Sequence, residues 1–172
     1  MENLNDDMIK IAGVVKESTV DGPGFRYTVF TQGCPHKCEG CHNPGTHDFN
    51  GGKFVSITKL AEDISKNPLL KGVTISGGEP FMQAKKVTSL LKKLDKRLSV
   101  MVYTGFKYED LLEMANEENG YLELLQNTDV LIDGKFVLAL KSENAPFRGS
   151  TNQRAIEAKN SISQGKIIEH EF

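Results

Sequence analysis

The chain of 172 residues has no tryptophan, only three cysteines and no long apolar run. Without an apolar run of about 20 residues, we expect no membrane-spanning helix and no membrane partner. The net charge of -2 leaves no basic excess, so we also predict no nucleic-acid partner. The first ten residues, MENLNDDMIK, are polar and acidic, which predicts no signal peptide and a cytoplasmic protein.

The remaining composition is that of an ordinary globular protein, with 38% hydrophobic and 26% charged residues. A chain of this length is sufficient for one domain with a sizeable core. No internal repeat, low-complexity stretch or linker divides it. We therefore predict a single domain over residues 1–172, with all cysteines in a loop at 34–41 and a polar C-terminal segment at 141–172.

The three cysteines fall within the eight-residue run CPHKCEGC, as Cys34, Cys38 and Cys41. An odd number of thiols in a chain without an export signal argues against a disulfide framework. Pro35 and Gly40 favour a loop over a helix. Proteins that only transfer electrons through an iron–sulfur cube supply a thiolate to each iron, so three thiolates indicate a cluster with one iron left open for chemistry.

A structural zinc site is the main alternative. Three thiolates and one imidazole, from His36 or His42, would complete a tetrahedron around zinc. The protein would then be a non-catalytic zinc-binding interaction module. None of the four histidines forms a metal-spaced set with another.

Short apolar runs alternate with helical patterns, which predicts α/β architecture with mostly parallel strands. We expect a partial open (β/α) barrel, because the chain is too short for a closed eight-unit barrel; a flat doubly wound sheet is the alternative. The predicted strands are Ile9 to Val15, Phe25 to Thr31, Val73 to Ser76, Ser99 to Tyr103 and Val130 to Ile132. The helical positions are Ile57, Leu60 and Ile64, with Ser56 or Thr58 as cap, then Val87, Leu90, Leu91 and Leu94, and finally Tyr108 to Ala115 and Tyr121 to Gln126.

In both architectures ligands bind at the carboxyl ends of the strands. Four loops directly follow predicted strands, and we expect them to meet at one active site. They are the cysteine loop, the run from Gly77 to Pro80, the pair Thr104-Gly105, and the run from Asp133 to Lys135. The paired glycines of the second loop allow a backbone to approach a ligand, although a plain strand-to-helix turn would use the same residues.

The CxxxCxxC run followed by GGEP after the next strand resembles the radical S-adenosylmethionine (SAM) superfamily. The resemblance implies a partial barrel of the radical SAM type and one [4Fe-4S] cluster, whose open iron binds the amino and carboxylate groups of S-adenosyl-L-methionine. By this resemblance the metal ligands are Cys34, Cys38 and Cys41. The expected cofactor contacts are Gly40, Cys41, His42, Gly77, Gly78, Glu79, Thr104, Asp133 and Lys135.

Four of these contacts carry specific expectations. Gly40 replaces the aromatic residue that usually precedes the last cysteine, so backbone groups around it would recognise adenine. Asp133 and Lys135 would reach the cofactor's carboxylate or ribose, or else be ordinary surface charges. Added bulk at Gly78 is expected to weaken cofactor binding and to spare the iron.

Two further runs, Asp21 to Arg26 and Cys41 to Pro44, resemble the glycyl-radical-enzyme activases, although the first would also suit a purely structural turn. The run from Phe147 to Arg154 resembles the branch that acts on anaerobic ribonucleoside-triphosphate reductase. This implies an oxidoreductase that cleaves S-adenosylmethionine to a 5′-deoxyadenosyl radical and generates a glycyl radical on the reductase.

A one-electron donor such as flavodoxin would supply the electron. The alternative is an activase of another glycyl radical enzyme, such as pyruvate formate-lyase. The C-terminal segment from Arg148 onward is expected either to dock the partner or to be a solvated tail. If the segment docks the partner, its deletion should spare uncoupled cofactor cleavage but abolish the glycyl radical signal of the reductase.

Overall fold

A computed structural model describes residues 5–172, and these residues form one seven-stranded sheet with helices between its strands. The strands are β1 (Met8–Ser18), β2 (Arg26–Thr31), β3 (Lys53–Ser56), β4 (Gly72–Gly77), β5 (Ser99–Tyr103), β6 (Val130–Asp133) and β7 (Arg154–Glu157). The helices are α1 (Ile57–Ser65), α2 (Ala84–Lys92), α3 (Tyr108–Met114), α4 (Tyr121–Gln126) and α5 (Ala158–Gln164).

The sheet has the order β3-β1-β2-β4-β5-β6-β7. Strands β2, β4, β5 and β6 are parallel neighbours, whereas β1 is antiparallel to both β2 and β3, and β7 is antiparallel to β6. Five of the seven described strands therefore point in the same direction, and β3 and β7 remain as edges. The predicted α/β class with mostly parallel strands is confirmed, and the sheet is not closed.

The predicted helical stripes face the sheet. Ile57 and Ile64 of α1, and Val87 and Leu90 of α2, are all fully buried in the main core. Ser56 is the N-cap of α1, because its hydroxyl accepts a hydrogen bond from the backbone N–H of Lys59. The local reason for α1 and α2 is an apolar stripe at helical spacing that packs against the central strands.

Three elements were not predicted: β3, β7 and α5. Both strands are only four residues long and lie at the edges of the sheet. The C-terminal segment is consequently not a tail, because Ile156 of β7 and Ala158 of α5 are fully buried. In the described residues, no helix is long and apolar enough to cross a membrane.

Candidate metal and cofactor site

The cysteine loop lies at the carboxyl ends of the parallel strands, where it lines a cavity of about 660 Å³. We call this space the cysteine cavity. Loops from β2, β4, β5 and β6 all reach it, as expected for ligand sites in parallel α/β sheets. Its lining includes Cys34, His36, Cys38, Cys41, His42, Gly77, Gly78, Thr104, Gly105 and Gly134. The predicted convergence of four loops is confirmed.

The cysteine loop is irregular, as Pro35 and Gly40 predicted. Its first residues are tied to the following chain: Gly33 N donates to Thr46 O at 2.7 Å, and Cys34 N donates to His47 O at 3.2 Å. Cys34 is buried, while Cys38 and Cys41 are partly exposed. The three thiols therefore share one cavity without any of them being sealed in the core.

The thiols suit a cluster of several irons. Within residues 5–172, no group of three or more His, Cys, Asp or Glu side chains is placed to hold one metal ion. A cluster requires a different arrangement, because each thiolate binds its own iron. Burial raises the pKa of the Cys34 thiol, and the nearby charges of Glu79 and Cys38 add to this effect. Metal binding would offset the free-energy cost of deprotonating Cys34, since the bound species is the thiolate.

The backbone at Gly77 and Gly78 is joined to the start of the cysteine loop. Gly78 N donates to Thr31 O at 2.7 Å, and Glu79 N donates to Gly33 O at 2.8 Å. A Cβ atom at Gly78 would lie 2.4 Å from the carbonyl oxygen of Gly33. Added bulk at Gly78 would therefore meet the residue before Cys34 before it met any ligand. The expectation that such bulk would spare the iron loses its physical basis.

Glu79 does not line the cysteine cavity; its side chain is fully buried behind it. Its Oε1 accepts hydrogen bonds from Phe81 N at 3.0 Å and Thr104 Oγ1 at 2.9 Å. Its Oε2 accepts from Gly105 N at 2.8 Å and lies 2.6 Å from His36 Nε2. One carboxylate thus connects the cysteine loop, the glycine loop after β4 and the loop after β5.

His36, which the sequence offered only as a possible zinc ligand, is the partner of Glu79 in this contact. Its side chain is only 7% exposed, and its ring packs edge-on against Phe106 at 4.6 Å between centroids. A Cβ atom at Gly105 would lie 2.4 Å from the His36 ring, so this glycine provides the space for the imidazole. The contact with Glu79 engages Nε2 of His36. The only signal in the sequence was the position of His36 between two cysteines.

Asp133 and Lys135 lie beside the cysteine cavity, in a neighbouring cavity of about 530 Å³. Asp133 is 1% exposed and is held by two hydrogen bonds from Arg154 and one from the backbone N–H of Tyr108. Its carboxylate therefore joins β6, β7 and the start of α3. Arg154 also donates to both oxygens of Glu109 and lowers the pKa of that carboxyl to about 2.

Gly40, Cys41 and His42 occupy the end of the cysteine loop. Gly40 has a φ of +72°, and a Cβ atom there would lie 2.9 Å from a methyl carbon of Leu138. The His42 ring lies 5.0 Å from the Phe136 ring, and both rings line the cysteine cavity. Phe136 thus places an aromatic ring beside His42, two residues after Gly40.

The run from Asp21 to Arg26 has a largely structural role. Arg26 is 1% exposed and donates to Thr74 Oγ1, to both Ser99 oxygens and to two further carbonyls. The Asp21 carboxylate accepts hydrogen bonds from the hydroxyls of Ser18 and Thr28, and Asp21 also lines the cysteine cavity. The structural alternative is therefore correct for Arg26.

The C-terminal segment forms one wall of the cysteine cavity. Phe147, Arg148, Gly149 and Gln153 all line it. Tyr103 donates its hydroxyl to the Phe147 carbonyl at 2.6 Å, and Gln153 Oε1 accepts from Gly149 N at 2.8 Å. Deletion from Arg148 onward would remove this wall together with β7 and α5. Such a truncation cannot be expected to spare cofactor cleavage.

The sequence comparisons agree with this arrangement of cysteines. The family described as "4Fe-4S single cluster domain" matches residues 20–156. The chain is also similar to a putative glycyl-radical enzyme activating enzyme of Haemophilus influenzae, with 37% identity over 97 residues, 55% of this chain and 37% of that protein. Among solved structures, QueE from Escherichia coli covers 61% of this chain and 57% of its own at 19% identity, with a TM-score of 0.43.

Two relatives match most of their length. The anaerobic ribonucleoside-triphosphate reductase-activating protein of Enterobacteria phage T4 is 34% identical over 143 residues, which cover 78% of this chain and 85% of that protein. The protein of the same name from Escherichia coli (strain K12) is 34% identical over 146 residues, 78% of this chain and 89% of its own. The chain therefore belongs to the single-cluster 4Fe-4S family, within the group of anaerobic ribonucleoside-triphosphate reductase-activating proteins.

Proposed function

We propose that this protein is a radical S-adenosylmethionine activase that generates the glycyl radical of anaerobic ribonucleoside-triphosphate reductase. The observation that carries the proposal is the shared cavity. All three thiols, the paired glycines Gly77 and Gly78 and a wall from the C-terminal segment surround one space of about 660 Å³. That volume is within the usual range for small-molecule sites, roughly 300–1,000 Å³.

The donor set fits the cluster. Cys34, Cys38 and Cys41 would hold one [4Fe-4S] cluster, and the chain has no fourth cysteine. When bound, the cluster and S-adenosylmethionine supply the one-electron chemistry that removes a hydrogen atom from a glycine of the partner. The open seven-stranded sheet, with the cysteine cavity at the carboxyl ends of its parallel strands, supports the partial β/α barrel that the resemblance implies.

The protein's own groups bind, orient and exclude water. The Glu79 carboxylate and His36 hold the cysteine loop against the loops after β4 and β5. The backbone of Gly77 and Gly78 forms the wall beside the thiols. The rings of His42 and Phe136 offer a flat apolar surface that suits the adenine of the cofactor. An external one-electron donor of the flavodoxin class would supply the electron.

The test is anaerobic reconstitution of the full chain with iron and sulfide. We expect about four irons per chain, formation of 5′-deoxyadenosine from S-adenosylmethionine after reduction, and a glycyl radical signal in electron paramagnetic resonance when the reductase is added. Cys38→Ala should lose all three. Lys166→Gln, which removes an exposed charge on another part of the surface, is the matched control and should retain them.

Three results would contradict the proposal in different ways. Protein that binds zinc and no iron would be an interaction module. A glycyl radical on pyruvate formate-lyase and none on the reductase would identify pyruvate formate-lyase as the partner. Normal production of 5′-deoxyadenosine by Cys38→Ala would remove this thiol from the cluster.

A further inference from the structure

Arg148 presents an unsatisfied cationic group to the cysteine cavity. The residue is half-buried, and its Nε atom is fully buried without a hydrogen-bond partner. The only hydrogen bond of its side chain within residues 5–172 is a long one, from a terminal nitrogen to the Gln153 carbonyl at 3.5 Å. A buried donor without an acceptor typically costs about 1–3 kcal/mol, so such a group calls for an explanation.

The other arginines of the chain contrast with Arg148. Arg26 donates to five oxygens, Arg97 donates to the Leu70 carbonyl, and Arg154 forms ion pairs with Glu109 and Asp133. Arg148 forms no ion pair with any carboxylate of the described residues. Among the described residues that line the cysteine cavity, it is also the only lysine or arginine. Asp21 and Glu143 also line this cavity, but neither carboxylate is within ion-pair distance of the Arg148 guanidinium.

The Arg148 backbone is fixed beside the cysteine loop. The next residue, Gly149, packs so closely that a Cβ atom there would lie 3.3 Å from the His42 ring and 2.9 Å from the Phe136 ring. The Gly149 N–H is held by Gln153. The backbone that carries Arg148 is thus anchored next to His42, the residue that follows Cys41.

The chemistry of the proposed cofactor identifies an acceptor for the terminal guanidinium nitrogens of Arg148, since Nε itself is fully buried. S-adenosylmethionine carries a sulfonium, an ammonium and a carboxylate, so the carboxylate is its one anionic group. The planar guanidinium of arginine matches a carboxylate in shape and charge. Burying a carboxylate is costly unless a cation pairs with it. Lys135, the residue expected from the sequence, lies in the neighbouring cavity together with Asp110, Asp133 and Arg154.

We propose that Arg148 binds the carboxylate of the methionine moiety of S-adenosylmethionine and that it selects the cofactor by this group. The inference rests on the proposed function, because it requires the cofactor to occupy the cysteine cavity. It assigns a role in cofactor recognition to the C-terminal segment. Partner docking by that segment is not required.

The experiment compares two ligands that differ only in the carboxylate. Affinities of the reconstituted protein for S-adenosylmethionine and for its decarboxylated analogue are measured by anaerobic equilibrium dialysis. Arg148→Gln should weaken binding of S-adenosylmethionine by about tenfold to hundredfold and leave binding of the analogue unchanged. Arg148→Lys keeps the charge without the planar fork, and its affinity for S-adenosylmethionine should fall between those of the wild type and Arg148→Gln. Lys166→Gln is the control for a general loss of positive charge.

The analogue also reports whether the variant is folded, since a variant with an intact site should bind it with the same affinity as the wild type. Equal affinities of wild type and Arg148→Gln for S-adenosylmethionine would overturn the assignment. So would a selective loss in Lys135→Gln in place of Arg148→Gln, or an equal loss of both ligands by an Arg148→Gln protein with full iron content. Wild-type protein that retains its iron and binds no S-adenosylmethionine would instead overturn the proposed function, and the assignment with it.

Discussion

Glu79 is 1% exposed, and each of its carboxylate oxygens accepts hydrogen bonds from the protein. A single residue therefore holds three loops that come from distant parts of the chain. The contact with His36 extends this connection into the cysteine loop. We infer that Glu79 is a positioning residue, because its charge stabilises the shape of the site from behind the cavity wall.

Glu79→Gln tests this role. Glutamine keeps the shape, but its amide nitrogen cannot accept a hydrogen bond, so the N–H of either Phe81 or Gly105 loses its partner. We expect a loss of about 3 kcal/mol in the free energy of unfolding, measured in urea, and a lower iron content after reconstitution. Glu113→Gln, at an exposed position on α3, is the control. Equal stability of the two variants would show that the Glu79 carboxylate is dispensable.

At the scale of elements, the site depends on loops that are fixed by one another. The loop after β4 continues the parallel pairing with the chain after β2, through hydrogen bonds from Gly78 to Thr31 and from Glu79 to Gly33. The helix α5 and the edge strand β7 complete the core behind β6. Binding of metal and the packing of neighbouring strands are therefore coupled physically.

Gly78→Ala tests this coupling. The new Cβ atom would lie 2.4 Å from the Gly33 carbonyl oxygen, and that backbone cannot move without displacing Cys34. We expect a loss of about 2 kcal/mol in stability and fewer irons per chain, measured after anaerobic reconstitution. Gly45→Ala is the matched control, because a Cβ atom there would have no neighbour within 4 Å. Full iron retention with weakened cofactor binding in Gly78→Ala would support the original expectation from the sequence.

At the scale of the whole molecule, ionised carboxylates stabilise the fold near neutral pH. The pKa values of Asp7, Asp63, Glu109 and Glu157 all lie below their ordinary values, mainly because of hydrogen bonds to the ionised form. A carboxyl with a lowered pKa contributes stability above its unfolded pKa and loses that contribution as the pH falls through its folded pKa. We therefore expect stability to decrease toward acid pH.

Glu109 provides the sharpest test, because its pKa falls from 4.5 to about 2 through hydrogen bonds from Arg154. Wild type should be more stable than Glu109→Gln above about pH 4.5, and this difference should shrink as the pH falls toward about 2. Urea unfolding at a series of pH values measures it. Glu109 is half-exposed, so the effect should be modest and should weaken in high salt. Curves that remain parallel over the whole range would contradict this explanation.

The strands, the helices and the metal site that follow from local pattern could be predicted from the amino-acid sequence alone. Apolar runs and helical stripes located five of the seven strands and most helices, because each buries one face against the core. The spacing of Cys34, Cys38 and Cys41 located the metal site, and the order of loops after strands predicted their convergence, because parallel strands end at one edge of a sheet. These features can be predicted from residues that are neighbours in the chain or from the rules of sheet topology.

The positions of the short edge strands and of the charged side chains depend on tertiary contacts. Strands β3 and β7 are as short as β6, but they begin with a charged residue and have no apolar run longer than two residues, so they are recognised only with their pairing partners. The Glu79 carboxylate lies behind the cavity, and the Asp133 carboxylate accepts hydrogen bonds from Arg154. Buried carboxylates are held by donors that are distant in the sequence. For the same reason Arg148, and not Lys135, is the cation that lines the cysteine cavity.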